Sequence, residues 1–286
     1  MTTTNDFQTV ITTDQYAIQT ARFEPSTPAH SEIFIGGATA VPQFFYQRFA
    51  KHANAAGYAV TTLDYRGIGK SAPKSLKGFK MDYLDWARQD LVAVLNEVHT
   101  KKANHKPIYM IGHSYGGHAF GLMPNHQLVN KLYTFASGAG WSGYMPFAER
   151  LKVELLWKVL GPIVTPFTGY MPGAFIGGED LPIDVYHQWR KWCSYPNYFF
   201  DDASIQSELK HFAEVKTPIV AANSDDDLWA PPASRDAFFK GYSNAPFTAL
   251  TIEGRRFGNK GIGHMGYFRK GSESLWDDAL AWFEKS

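Results

Sequence analysis

Gly112-His113-Ser114-Tyr115-Gly116-Gly117 follows the apolar run Ile108-Tyr109-Met110-Ile111 and precedes the small-residue segment Gly117-His118-Ala119-Phe120-Gly121. A strand that turns sharply into a helix strains the corner residue and crowds its neighbours, so the positions two before and two after must lack a side chain. The hydroxyl of Ser114 is then exposed at the positive end of the following helix, where it can serve as a nucleophile. A serine hydroxyl is too weakly acidic to attack unaided. It needs a base, and the base needs an orienting carboxylate. Late in the chain Gly261-Ile262-Gly263-His264-Met265-Gly266 sets a histidine in a glycine-rich loop. Between the two, the apolar stretch Thr217–Ala222 runs into Asn223-Ser224-Asp225-Asp226-Asp227, followed by Pro231-Pro232. Serine, acid and histidine in that order fit acyl transfer through a covalent intermediate. Three adjacent carboxylates leave the identity of the acid open.

These residues need a scaffold, and the hydrophobic pattern describes one. Phe7–Thr12 and Gln15–Phe23 alternate as a hairpin about Thr13-Asp14. Ser31–Ile35 and Tyr58–Asp64 read as strands, with a helix from Pro42 to about Ala56 closed by Gly57. Met81–Lys101 reads as an amphipathic helix with Ala87, Leu91, Val94, Leu95 and Val98 on one face. Lys131–Ser137, Thr217–Ser224 and Thr248–Glu253 supply further strands. Ser272–Phe283 is a last helix burying Leu275, Trp276, Ala279, Leu280 and Phe283. Alternating strands and helices predict an α/β fold: a doubly wound, mostly parallel sheet with the first hairpin antiparallel. Ser114, the acidic run and the His264 loop all fall at carboxyl ends of strands, where such sheets bind ligands.

With these motifs in place, the chain resembles the α/β-hydrolase superfamily of serine esterases, lipases and related acyl hydrolases. Leu63-Asp64-Tyr65-Arg66-Gly67-Ile68-Gly69-Lys70-Ser71 is similar to the Asp-x-Arg-Gly-x-Gly-x-Ser loop after that family's fourth strand. Ile33-Phe34-Ile35-Gly36-Gly37-Ala38-Thr39 is similar to its third strand and oxyanion loop, with Gly36 where a histidine is usual. The resemblance implies backbone N–H donors at Ala38 and Tyr115 for the tetrahedral oxyanion. It also implies the pattern Gly-x-x-Asp-x-x-x-Pro after the acid's strand. Ser224 through Pro231 fits that pattern with Asp227 as the acid; the register one residue earlier selects Asp226 and loses the proline. The implied activity is ester hydrolysis by Ser114, His264 and Asp227. An acyltransferase or thioesterase would use the same three residues, and a non-catalytic binding protein of this fold is the remaining alternative. Epoxide and haloalkane hydrolases need a carboxylate where Ser114 stands.

Between Trp141 and about His211 the strand–helix rhythm stops, and aromatic residues from Trp141 to Phe200 are interspersed with Gly and Pro. The expectation is a core of residues 1–140 and 212–286 and an inserted cap of residues 141–211 over an apolar pocket. At 286 residues, 44% hydrophobic and 19% charged, the chain has ample material for a globular core. A net charge of +1 gives no reason to expect nucleic acid as a partner. The single cysteine, Cys193, rules out an internal disulfide and suits a reducing compartment. The N-terminus lacks the charged and apolar regions of a signal peptide, and no apolar run reaches the ~18 residues of a membrane span, so the expected location is cytoplasmic. Gly67-Ile68-Gly69-Lys70-Ser71 ends like a phosphate loop, but the leading glycine is Asp64. The ten histidines never take metal-ligand spacing. No cofactor and no metal are therefore expected; the partner is a small or medium apolar acyl substrate, with the oligomeric state left open.

Overall fold

The computed structural model describes residues 6–102 and 106–285. In chain order the elements are β1 (Asp6–Ile11), β2 (Ala17–Phe23), β3 (Ser31–Gly36), α1 (Gln47–Ala55), β4 (Tyr58–Leu63), α2 (Val92–Lys101), β5 (Ile108–His113), α3 (Tyr115–Ala119) and β6 (Lys131–Phe135). Then come α4 (Phe147–Leu155), α5 (Gly161–Thr168), β7 (Tyr170–Met171), α6 (Gly173–Ile176), β8 (Leu181–Pro182), α7 (Ile183–Trp192) and α8 (Gln206–Glu214). The chain closes with β9 (Ile219–Ser224), α9 (Pro232–Phe239), β10 (Phe247–Ile252) and α10 (Glu273–Glu284).

Eight strands form one sheet in the order β1-β2-β4-β3-β5-β6-β9-β10. The pairs β1–β2 and β2–β4 are antiparallel and the rest are parallel. Every residue of β3, β4, β5 and β9 is buried, as a sheet covered on both faces requires. Phe49, Ala50 and Ala53 of α1 pack on one face with Leu275, Trp276, Ala279, Leu280 and Phe283 of α10. Val94, Leu95 and Val98 of α2, Ala119 of α3, and Phe238 and Phe239 of α9 pack on the other.

The loop Asp64–Ser71 is held by two buried carboxylates. Asp64 accepts from the Gln43 and Lys70 N–H groups at 2.7 and 3.0 Å. Gly69, at φ +51°, has no room for a Cβ, which would lie 2.6 Å from Asp64 Oδ1. Asp90 accepts from the Arg66 N–H and Nε at 2.9 and 2.8 Å. Asp90 lies in a π-helical stretch, Trp86–Leu91, that precedes α2. The helix expected from Met81 starts only at Asp85. Upstream, the carboxylates of Asp82 and Asp85 take the N–H groups of Leu84 and Asp82, which closes a turn in place of a first helical turn.

The segment between β6 and β9 carries α4–α8 and the two-residue pairing β7–β8. Its last helix, α8, runs past residue 211 to Glu214, and Phe212 packs where a Cβ on Gly121 would stand. Among the described residues no helix is long and apolar enough to cross a membrane.

Candidate active site

Ser114 stands at the corner between β5 and α3 with φ +51° and ψ −108°, a conformation that costs a non-glycine residue about 1–3 kcal/mol. The surroundings hold it there. Its N–H donates to Phe135 O at 2.9 Å, and its carbonyl accepts from Ser137 Oγ at 2.8 Å and Gly117 N at 3.1 Å. The flanking glycines have no alternative: a Cβ on Gly112 would stand 2.8 Å from Gly117 N, and one on Gly116 only 2.0 Å from Gly36 O. A Cβ on Gly36 would in turn meet Met110 Cε at 2.7 Å and Gly116 Cα at 3.1 Å. The residue that departs from the usual histidine is thus where β3 and α3 touch backbone to backbone.

His264 lies in the loop between β10 and α10, where Gly261 and Gly263 adopt φ +60° and +54°. Its Nε2 is 3.1 Å from Ser114 Oγ, and its Nδ1 is 3.0 and 3.1 Å from the two oxygens of Asp227. The Asp227 side chain is fully buried and also accepts from Trp229 N at 3.0 Å, Ala230 N at 2.9 Å and the Tyr267 hydroxyl at 3.3 Å. Burial by itself would raise its pKa; the His264 imidazole and the two backbone N–H groups outweigh that and hold it below the ordinary carboxylate value. An ionised Asp227 accepts the Nδ1–H, which leaves Nε2 bare toward the Ser114 hydroxyl.

The three consecutive carboxylates have separate tasks. Asp225 accepts from Gly254 N at 2.8 Å. Asp226 accepts from Ile262 N at 2.8 Å, Gly263 N at 3.1 Å and Ser224 Oγ at 2.5 Å. It therefore anchors the loop that carries His264. A Cβ on Gly261 would fall 1.7 Å from Asp226 Oδ2, so this glycine lets the loop close on the carboxylate. No signal in the sequence marks this role, because the partners lie on a loop some 36 residues away.

A second chain of hydrogen bonds runs beneath the site. The Ala38 N–H donates to Tyr46 Oη at 2.7 Å, and Tyr46 Oη lies 3.0 Å from His113 Nδ1. His113 Nε2 lies 3.1 Å from the carbonyl oxygen of His264, which can only accept. His113 therefore carries its proton on Nε2, accepts the Tyr46 hydroxyl at Nδ1, and stays neutral; burial, then the nearby His264, pushes its pKa down to about 3.

Ala38 is one of the two expected oxyanion donors. Its N–H is already engaged by a buried hydroxyl, whereas neither Thr39 N–H nor Tyr115 N–H has a hydrogen-bond acceptor among the described residues. Thr39, Ala38 and Ser114 line a cavity of about 140 Å³ with Trp189, Trp229 and His264. Trp229, two residues past Asp227, was not singled out in the sequence, although its place beside the acid was visible there. The basic residues Arg255 and Arg256 near the His264 loop are well exposed and pair with Glu253, outside this cavity.

The strand order, the strained Ser114 corner and the placement of the site at strand carboxyl ends define an α/β-hydrolase fold. A family model described as serine aminopeptidase, S33, matches residues 43–165. A soluble variant of monoglyceride lipase from Saccharomyces cerevisiae, in complex with a substrate analogue, is 17% identical over 99% of this chain and 95% of that chain, with a TM-score of 0.70. Est1E from Butyrivibrio proteoclasticus with ferulic acid bound is 16% identical over 94% and 96%, with a TM-score of 0.58. The thioesterase domain from the curacin biosynthetic pathway is 13% identical over 97% and 99%, with a TM-score of 0.58. No curated protein sequence matches this chain. The chain shares the α/β-hydrolase fold with these structures over nearly its whole length.

Proposed function

We propose that this protein is a serine hydrolase that cleaves a carboxylic ester of a small apolar substrate through an acyl-enzyme. The observation that carries this reading is the single line of contacts from Asp227 through His264 to Ser114, with Nε2 of His264 left to accept a proton. In the first half-reaction Ser114 Oγ attacks the carbonyl carbon and His264 Nε2 takes its proton. Asp227 holds the imidazole in the required tautomer and stabilises its cation. The proton then passes to the leaving alkoxide, the alcohol departs, and Ser114 carries the acyl group. Water repeats the attack with His264 as base, releasing acid and regenerating the serine.

The tetrahedral oxyanion is assigned to the free N–H groups of Tyr115 and Thr39, each contributing about 3 kcal/mol in comparable sites. Ala38 is assigned a supporting role: tied to Tyr46, it fixes the turn that presents Thr39. Residues 141–211 act as a cap, supported by Ile176, Gly177, Gly178 and Trp189 lining the cavity opposite Ser114. The cavity volume of about 140 Å³ supports a short acyl group, since a cavity of ~150 Å³ holds a benzene ring.

The test is a series of p-nitrophenyl esters from acetyl to dodecanoyl, run beside the matching thioesters. The proposal expects turnover of the esters, highest for short chains. Turnover of thioesters alone would transfer the reading to a thioesterase, and no turnover with no labelling by a fluorophosphonate would favour a binding protein.

A further inference from the structure

The helices α4 and α5 are joined without a break by a π-helical stretch, Leu156–Leu160, so residues 147–168 form one rod of roughly 30 Å. One face of it is buried through Val153, Trp157, Gly161 and Thr165. The opposite face shows Phe147, Leu151, Leu155, Val159, Ile163 and Phe167, spaced four residues apart and exposed by between 43% and 81%. On a regular α-helix a four-residue repeat drifts by about 40° per step and would wind around the rod. The wider π turn midway uses more residues per turn and offsets part of that drift. Both rows keep their faces over the whole length. This run of large apolar side chains exceeds the scattered exposure that a surface ordinarily carries.

Charge around the rod is one-sided. Its exposed charges, Arg150, Lys152 and Lys158, are all positive; Lys152 and Lys158 pair with the partly buried Glu149 and Glu154, and Arg150 has no carboxylate partner among the described residues. On its flank lies a cavity of about 320 Å³ whose lining includes Trp157, His187, Arg190, Lys191 and the Glu154–Lys158 pair. Arg190 has no carboxylate partner among the described residues, and Trp157 Nε1 is buried without an acceptor. Both groups can only donate, so what fits beside them carries acceptor oxygens, as a phosphate does.

We infer that this face is a docking surface for an anionic phospholipid membrane, with the Phe147–Phe167 row in the acyl boundary and headgroup phosphates at the Arg190 cavity. An apolar helical face flanked by cations lies in the plane of a membrane interface without spanning it. The exposed charges beside the row, with Arg150 and Arg190 lacking carboxylate partners among the described residues, are those an anionic leaflet attracts. Trp157 sits 4.9 Å from Trp189 and 6.4 Å from Trp229, ring centre to ring centre, and both of these line the Ser114 cavity. Docking therefore places a membrane on the outer side of the same rod that covers the site.

The test is vesicle flotation of the full chain. Vesicles of phosphatidylcholine with a quarter phosphatidylserine should carry wild type to the top of the gradient, less so in high salt, and pure phosphatidylcholine should carry less. The triple substitution Leu151→Ser, Leu155→Ser, Ile163→Ser removes exposed side chains only, so melting should be unchanged, while vesicle partitioning falls at least roughly tenfold. Arg190→Glu should erase the preference for phosphatidylserine. Ser114→Ala should float like wild type, which separates docking from any failure of the hydrolase proposal. Absence of flotation with both compositions overturns the inference. So does a wild-type dimer that the triple substitution converts to monomer, since the row would then be covered by a second copy.

Discussion

The Nε2–H of His113 donates to the main-chain carbonyl of His264, 3.1 Å away, from directly beside the Ser114 corner. Two histidines thus meet with different work. His264 turns its ring to Ser114 and Asp227, while His113, neutral and fully buried, holds the backbone from which that ring projects. Because Tyr46 bridges His113 to Ala38, the loop after β3 and the loop before α10 are fixed to one another through the end of β5.

That division of labour gives opposite expectations for the two rings. His264→Ala should abolish fluorophosphonate labelling and lower kcat by several orders of magnitude, approaching the roughly 10⁶-fold loss expected of Ser114→Ala, with unchanged melting. His113→Phe keeps the volume and removes two buried hydrogen bonds, so it should cost about 2–4 kcal/mol of stability and a far smaller part of kcat. Denaturant titration and burst kinetics on the two variants read both quantities. The reverse pattern would mean the base has been assigned to the wrong histidine.

Asp227 and Asp226 separate in the same way. Asp227→Asn should leave the fold intact and lower kcat about 10⁴-fold, because an amide cannot hold the imidazole tautomer with Nε2 bare. Asp226→Asn keeps a shape that fits but weakens the acceptor for Ile262 and Gly263, so the His264 loop should exchange its amide protons faster while kcat falls much less. Hydrogen exchange read at residues 261–264 together with kcat decides the assignment; a crippling Asp226→Asn with an active Asp227→Asn would hand the role to Asp226.

Burial also makes stability depend on pH. The pKa of His113 and that of His118 are both pushed down to about 3 by burial. In the unfolded chain each histidine binds a proton below about pH 6.5, whereas the folded chain takes none until far lower. Stability is therefore full above that pH and falls toward pH 3, by up to about 1.4 kcal/mol per pH unit for each ring. Unfolding curves from neutral pH down to about pH 5 should show this slope, and His118→Gln should begin less stable but descend less steeply. An unaltered slope in both His118→Gln and His113→Gln would exclude these rings as its source.

The cavity makes a prediction about size. Trp189 and Trp229, with ring centres 5.7 Å apart, wall the space beside Ser114. Trp189→Ala should enlarge it and raise kcat/KM for octanoyl relative to acetyl esters by about tenfold or more, as pocket volume does in other sites. A ratio unaffected by Trp189→Ala would show that the acyl group lies elsewhere.

The fold was legible because its signals are local. The burial of α10 through Leu275, Trp276, Ala279, Leu280 and Phe283 follows the helical period, and the apolar run Ile108–Ile111 of β5 announces a covered strand. The glycines around Ser114 and the acidic run past β9 are likewise local punctuation, and the structure brings Ser114, Asp227 and His264 within hydrogen-bonding distance. What sequence did not disclose depends on distant partners. The engagement of Ala38 by Tyr46 and the anchoring of residues 261–263 by Asp226 each needs the fold before either partner is in reach. The exposed row on residues 147–167 is hidden for another reason: it is mostly aliphatic within a segment rich in aromatic rings, and it keeps its face through a π turn that no propensity marks.

The last prediction concerns Thr39 as the proposed oxyanion donor. Residues Ala38–Val41 form a turn closed by Val41 N–H to Ala38 O at 3.3 Å, and Ala40 adopts φ +60°. A positive φ at the third position alone is the type II form, whose second position, here Thr39, favours proline. Thr39→Pro therefore removes the N–H while preserving the turn. The side chain must be accounted for separately, because Thr39 Oγ1 lies 2.5 Å from the Tyr83 hydroxyl. Thr39→Ala loses that contact alone and should change kcat only a few-fold. Thr39→Pro should lose a further 10²–10³-fold, about the effect of deleting one oxyanion donor, chiefly in kcat because the N–H acts on charge that develops after substrate binds. Tyr46→Phe supplies the complementary reading, since it frees the Ala38 N–H. If Thr39→Pro turns over like Thr39→Ala while Tyr46→Phe raises kcat, Ala38 is the donor and the Tyr46 hydroxyl competes with the substrate for it.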